Sequence, residues 1–221
     1  MTIALKAASL REEVEREHDA LIAEIEQVTV QVLFAVADDS HRSTTAVGLG
    51  DPGCFGAMAD VVMTCQTGEF LVRRGATVVL AEINVYRRED PICVLGSFSG
   101  LRVPAPYLRG SDNLEAGEHL VAVQRRGAKT VAWRAAYRET VGPDDEVPFP
   151  FLLVEFPFPG PPVGSPVFDL EARLVGWTAC EPPEDDIVLT VLPVDWRRYS
   201  REKAHDSDRK AALSALRSGL L

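Results

Sequence analysis

The sequence lacks any Cys-x-x-Cys pair. Its four cysteines, Cys54, Cys65, Cys93 and Cys180, stand far apart, so neither a zinc knuckle nor a thioredoxin-type redox centre is expected, and four free buried thiols are. No apolar run approaches the ~20 residues that a membrane-crossing helix requires. The opening MTIALKAASLREEVEREHD puts charges where a secretory leader would need an apolar core, so a soluble, cytoplasmic chain is expected. No G-x-x-x-x-G-K-[ST] run and no strand–helix alternation is present, which leaves nucleotide binding without support. Positive charge is scarce: 23 Lys and Arg face 33 Asp and Glu, a formal charge of −10 and a pI near 4.9. Such a chain repels phosphate backbones and anionic membrane surfaces, so neither nucleic acid nor a membrane is expected as a partner. The acidic runs Asp144-Asp145-Glu146 and Glu184-Asp185-Asp186 are flanked by proline and read as solvated loops rather than calcium sites. No metal and no cofactor is expected.

What is present is an ordinary globular composition, 46% apolar and 25% charged, enough apolar side chains to offset ordering entropy. The charge is unevenly distributed. Residues 1–27 hold three basic and seven acidic side chains, residues 28–196 hold 13 and 23, and residues 197–221 hold seven and three. Residues 1–27 read as one amphipathic helix, because Ile3, Ala7, Leu10, Val14, Leu21, Ile25 and Val28 recur at helical spacing. Its apolar stripe packs on the protein's own body or on another chain. Residues 197–221 return to helical spacing, with Ala204, Ala211, Ala212, Leu213, Leu216 and Leu220 set among basic and small polar residues, and predict a final basic helix.

Between them, residues 28–196 form short β-rich runs separated by Gly, Pro and Asp. Strands are predicted at 28–36, 44–49, 60–65, 69–73, 76–86, 92–98, 119–124, 130–138, 151–156, 166–169, 172–178 and 187–192. About twelve short strands with almost no intervening helix predict an antiparallel barrel or sandwich and exclude βαβ architecture. The segment 148–168 holds seven of the 15 prolines, and because proline cannot donate to a ladder, the flanks of 151–156 must be loops or edges.

That segment runs into Gly164-Ser165-Pro166-Val167-Phe168-Asp169 and Arg173-Leu174-Val175-Gly176-Trp177. These residues resemble the trypsin-like (chymotrypsin-fold) serine proteases, especially the bacterial high-temperature-requirement and glutamyl-endopeptidase branches. There, a Gly-x-Ser-Gly-Gly/Ser-Pro loop presents the nucleophile ahead of a Val-Phe-Asp-x-x-Gly-x-Val-Val-Gly stretch. Ser111-Asp112-Asn113-Leu114-Glu115-Ala116-Gly117-Glu118 and the strand after it are similar to a second family segment. Val62-Met63-Thr64-Cys65 resembles the strand that leads to the catalytic histidine. Over about residues 28–200 the resemblance implies a mostly β, chymotrypsin-like double six-stranded antiparallel barrel, here with a helix at each end.

Catalysis in that family needs a histidine to take the serine proton, an aspartate to orient it, and two N–H groups for the oxyanion. Carried over residue by residue, the resemblance implies a degenerate site. Counting on from Thr64-Cys65-Gln66, the histidine slot falls on Thr67, and the aspartate slot falls on Asp90, ahead of the next apolar strand. Counting back from Gly164-Ser165-Pro166, the nucleophile slot falls on Val163. Pro161 stands where the family has the glycine whose N–H completes the oxyanion hole, and with Pro162, Gly164 and Ser165 it makes up a degenerate oxyanion loop. Losing one such donor costs about 10²–10³ in rate.

The expected function is therefore that of an inactive pseudoprotease acting as a protein-binding or regulatory module. The old substrate cleft or the terminal helices are expected to contact another protein, the cleft by strand addition of a peptide along an exposed edge, and the partner is expected to be basic at its contact surface. Related domains in bacterial conflict systems suggest an antiviral or signalling complex. Two alternatives stand beside this reading. One is an active hydrolase using Ser165, or a cysteine such as Cys65, with His41, whereas His18, His119 and His205 fall in the N-terminal helix, at a strand start and in the tail. The other is a chain cut by a partner protease at 142–150 or 181–186.

Overall fold

The computed structural model describes residues 2–37, 40–85, 90–142, 150–156, 159–179 and 188–194, the side chains of 2–13 and 188–189 apart. The predicted tail helix at 197–221, Cys180 and most of the acidic segments at 142–150 and 181–186 lie outside the described residues. Among these described residues, helix α1 (Thr2–Val28) leads into twelve strands. The first six are β1 (Thr29–Ala35), β2 (His41–Gly48), β3 (Cys54–Met58), β4 (Glu69–Arg74), β5 (Thr77–Val85) and β6 (Ile92–Gly96), with a single helical turn α2 (Ala59–Val62) after β3. They close into an antiparallel barrel in the order β1-β2-β3-β6-β5-β4. The second six are β7 (His119–Arg126), β8 (Lys129–Val141), β9 (Phe151–Glu155), β10 (Pro166–Asp169), β11 (Leu174–Thr178) and β12 (Val188–Pro193), closed in the order β10-β11-β12-β9-β8-β7. This is the expected chymotrypsin-like double barrel.

Alternation along the strands explains the cores. On β4, Phe70 and Val72 point inward to join Val30, Val32, Phe34, Phe55 and Leu95, while Leu71 stays half exposed. Leu120, Leu152, Val154, Val167 and Val175 fill the second barrel. A third cluster sits between the two barrels. Ile25 of α1, Val47 and Met58 of the first barrel, and Phe168, Leu174, Trp177 and Leu192 of the second are buried there together. Polar bonds hold the same seam, since the Arg125 N–H donates to Thr45 Oγ1 at 2.8 Å and the Gly127 N–H to Gln31 Oε1 at 3.0 Å.

Helix α1 straps this seam. Leu21 and Ile22 pack on the inter-barrel cluster, Glu26 is ion-paired with Arg125 at 2.5 Å, and Arg74 donates to the Gln27 carbonyl at 3.0 Å. The C-terminal half of the helix thus packs on the protein's own body, the first of the two expectations for its apolar stripe.

One strand expectation is corrected. The run 60–65 is not a strand, because Ala59–Val62 forms a helical turn, with the Met63 N–H returning to the Ala59 carbonyl at 2.8 Å. The strand is Cys54–Met58, paired to β6 from Cys54↔Gly96 to Met58↔Ile92. The glycines around it serve close packing. A Cβ on Gly53 (φ +75°) would lie 2.1 Å from the Ser97 carbonyl oxygen, and one on Gly48 2.4 Å from that of Pro104. The string Gly48-Leu49-Gly50-Asp51-Pro52-Gly53 has G-x-G-x-x-G spacing, yet it joins two antiparallel strands and opens no helix. It therefore lacks the context of a pyrophosphate site.

Candidate functional site

The loop Pro161–Ser165 precedes β10 and meets the first barrel at the seam. Gly164 adopts φ +81°, and a Cβ there would lie 2.9 Å from Val61 Cγ2, 3.2 Å from Thr44 Oγ1 and 3.3 Å from Met58 Cβ. Only glycine accepts both that backbone angle and that approach. The second barrel fixes the loop through Thr178, the last residue of β11. The Gly164 N–H donates to the Thr178 carbonyl at 2.8 Å, the Ser165 N–H to Thr178 Oγ1 at 2.9 Å, and the Thr178 hydroxyl to the Pro162 carbonyl at 2.7 Å.

Ser165 is 2% exposed, and its own hydroxyl donates to the Pro162 carbonyl at 2.7 Å. That proton is committed to the loop's internal bonding, a structural role. Pro161 is buried and offers no N–H, Pro162 is exposed, and Val163 is half buried with no nucleophilic atom. Asp90 lies half buried two residues ahead of Ile92, which pairs with Met58, while the Ala59 N–H donates to the neighbouring Pro91 carbonyl at 2.7 Å. The end of β3, the start of β6 and the 161–165 loop thus converge at one place.

Thr67 belongs to a different environment. It is exposed in the turn before β4, where its hydroxyl accepts the Glu69 N–H at 3.2 Å and sits 3.7 Å from Cys65 Sγ. The count that led to Thr67 began from a strand at Val62–Cys65, and the strand ends instead at Met58. Sequence reasoning missed Val61, Thr44 and Thr178, the residues that touch the loop. The signal was the turn cluster Gly50-Asp51-Pro52-Gly53, which marks the start of a short strand at Cys54.

Two of the thiols have defined surroundings. Burial pushes the Cys93 thiol up to about 12, far from ionisation near neutral pH, and Cys65 Sγ donates to the Glu69 carbonyl at 3.5 Å. His41 opens β2 opposite Ala35 and is exposed. Among the described residues no group of three or more His, Cys, Asp or Glu could hold a metal ion, and no helix is long and apolar enough to cross a membrane.

At the opposite end of β10 the chemistry is ionic. Asp169, fully buried, accepts from the backbone N–H groups of Glu171 and Arg173, from Arg173 Nε at 2.7 Å and from Arg109 Nη1 at 3.2 Å. Arg109 also pairs with Glu118 and donates to the Asn113 carbonyl at 2.7 Å. The hydrogen bond to Asp169 is the first cause that raises the Arg173 pKa, so the guanidinium remains charged throughout. Two segments singled out in the sequence, 111–118 and 164–177, are therefore joined by this bracket. It supports the fold, and every charge in it has a partner.

No protein-family model matches the sequence, and no curated protein matches it. Solved structures do. The Rv3671c protease of M. tuberculosis in its active form is 18% identical with a TM-score of 0.64, over 80% of each chain. An inactive serine-to-alanine mutant of it is 17% identical with a TM-score of 0.66, over 83% of this chain and 89% of that one. Deg5 is 12% identical with a TM-score of 0.67, over 83% of this chain and 91% of that one. At such identities the likeness is one of fold, and on it the chain is a chymotrypsin-like double β-barrel.

Proposed function

We propose that the chain is a pseudoprotease, a chymotrypsin-like double barrel without proteolytic activity that acts as a protein-binding or regulatory module. One observation carries this reading. At the seam where a serine protease joins base to nucleophile, Val61 packs against Gly164 of a loop that offers Pro161 and Val163. In this reading the histidine slot falls on Val61, in the turn that follows β3, rather than on Thr67, and the aspartate slot remains Asp90. A valine has no atom that can take a proton, so at that slot the triad has no base. With Pro161 lacking an N–H, the base, the nucleophile and one oxyanion donor are all missing.

The partner in this proposal is a protein with a basic contact surface, matched to the −10 carried by residues 28–196. A bacterial, cytoplasmic setting and a part in an antiviral or signalling complex belong to the same proposal. They are tested by plating phage on cells with and without the protein.

Activity is tested directly by treating the intact protein with a fluorophosphonate and with iodoacetamide, alongside casein hydrolysis. Neither stoichiometric active-site labelling nor hydrolysis is expected. Labelling that disappears in Ser165→Ala or Cys65→Ala would sink the pseudoprotease reading. For a basic partner, the affinity falls as salt rises from 50 to 500 mM, whereas a salt-independent affinity contradicts the charge argument.

A further inference from the structure

The outer face of β4 and β5 carries large apolar side chains on the side of the sheet turned away from the core. Phe70, Val72 and Ala81 are buried in the first barrel, so the residues alternating with them face outward. Leu71 and Leu80 stand directly opposite one another on that face, at 46% and 58% exposure. On the other side of β4, Leu33 of β1 pairs with Leu71, and three leucines thus form one row across three adjacent strands. Charges of opposite sign flank the row. In one direction along the strands Glu69 stands opposite Glu82, both exposed. In the other stands Arg73, whose Nη1 reaches the turn between β7 and β8, 4.0 Å from where a Cβ on Gly127 would lie, and that turn carries the paired Arg126 and Lys129. Glu69 and Arg73 each lie two residues from Leu71, about 7 Å along the strand.

Two carboxylates facing each other across a ladder repel, and among the described residues neither Glu69 nor Glu82 has an ion-pair partner. A cation brought by a partner offsets that repulsion. Both barrels are closed, so a partner meets a face of the sheet and not an edge. From this pattern we infer that the face joins two copies of the chain about a two-fold axis running along the leucine row. Such an axis sets each leucine over its own counterpart and reverses the strand direction. It brings the glutamates of one copy over Arg73 and the β7–β8 turn of the other, twice by symmetry. An axis parallel to the strands would instead set carboxylates over carboxylates. The order acid, apolar, basic thus selects both a second copy and its orientation. Because the contact is small and the chain carries −10, the dimer is expected at micromolar rather than nanomolar concentrations. The inference does not depend on whether the seam at Gly164 has activity.

Sedimentation velocity on the full chain, over about 1 to 200 µM protein, tests this. The wild type is expected to shift from monomer to dimer. Leu71→Arg, at an exposed position that tolerates charge, sets two guanidinium groups against each other on the axis and weakens the dimer about tenfold or more. Leu170→Arg, at an exposed position on the second barrel, leaves it unchanged. Charge exchange reads the orientation. Glu69→Lys with Glu82→Lys makes one variant, and Arg73→Glu with Lys129→Glu makes another. Each alone is expected to be monomeric, and an equimolar mixture to recover the dimer, which also shows that both fold. The inference is overturned by a wild type that stays monomeric, which would give the face to a different protein, by a dimer indifferent to Leu71→Arg, or by a mixture that stays monomeric although each variant keeps the wild-type circular dichroism.

Discussion

The two ends of β10 are four residues apart and are held by opposite means. At Asp169, a buried carboxylate gathers two guanidinium groups and two backbone N–H groups. At Ser165, the bonds run between hydroxyls, carbonyls and amides, with no charge among them. The ionic end ties together segments more than fifty residues apart, Arg109 and Asp169, and so serves the barrel. The neutral end fixes a loop against Val61 and Thr44. A loop bonded this way has a rigid shape but no group that gains or loses a proton near neutral pH. The contrast is one of means: charge holds β10 where its end ties distant segments together, and neutral hydrogen bonds hold it where the loop meets the first barrel.

Four single substitutions and one double variant test that contrast. The largest effect is expected at the ionic end. Asp169→Ala leaves Arg109 and Arg173 without their shared buried acceptor and lowers stability by about 3–5 kcal/mol in urea unfolding. A loss below about 1 kcal/mol would mean that the bracket is not what holds the 109–118 segment to β10. At the neutral end, Gly164→Ala costs about 1–3 kcal/mol, because an L side chain is strained at φ +81° and meets Val61. Combining it with Val61→Ala relieves the contact but not the angle, so the double variant recovers only part of the loss. Thr178→Val removes the acceptor of the Ser165 N–H and a donor to the Pro162 carbonyl, a change of about 1–2 kcal/mol. Hydrogen exchange at the Ser165 amide should accelerate there without a change in exchange at Asp169. The smallest effect is at Arg138, whose pair with Glu155 is solvent-exposed on both sides. Arg138→Ala should shift stability by less than about 0.5 kcal/mol, and high salt should erase even that.

Much of the fold was legible because period-two alternation survives in strands such as β4, where Phe70 and Val72 turn inward and Leu71 outward. The loop was legible too, since Gly164-Ser165-Pro166 sets its position without any count across a gap. The other half of the site was not. Asp60-Val61-Val62-Met63 has the β-branched, apolar character of a strand, but the Ala59 N–H is taken by the Pro91 carbonyl and the chain turns helically instead. The true strand was hidden by Gly56, where a Cβ would meet Leu49 at 3.2 Å, a tertiary reason for a glycine that local propensity reads as a break. Reading 60–65 as a strand put the residue at which the count ended, Thr67, in an exposed turn away from the 161–165 loop.

Closure of both barrels has a kinetic consequence. The first is sealed by β1 against β4, some forty residues apart in sequence, and the second by β7 against β10, further apart still. Neither seal can form from neighbouring segments, so the loop-closure entropy must be met before those ladders contribute. Folding belongs in the millisecond-to-second range of β-barrels with many non-local pairings rather than the microsecond range of helical bundles. Until the last ladder zips, each sheet has open edges that invite pairing between molecules. The completed barrels have none, which leaves strand addition, the recognition mode first expected for a peptide, without an edge among the described strands.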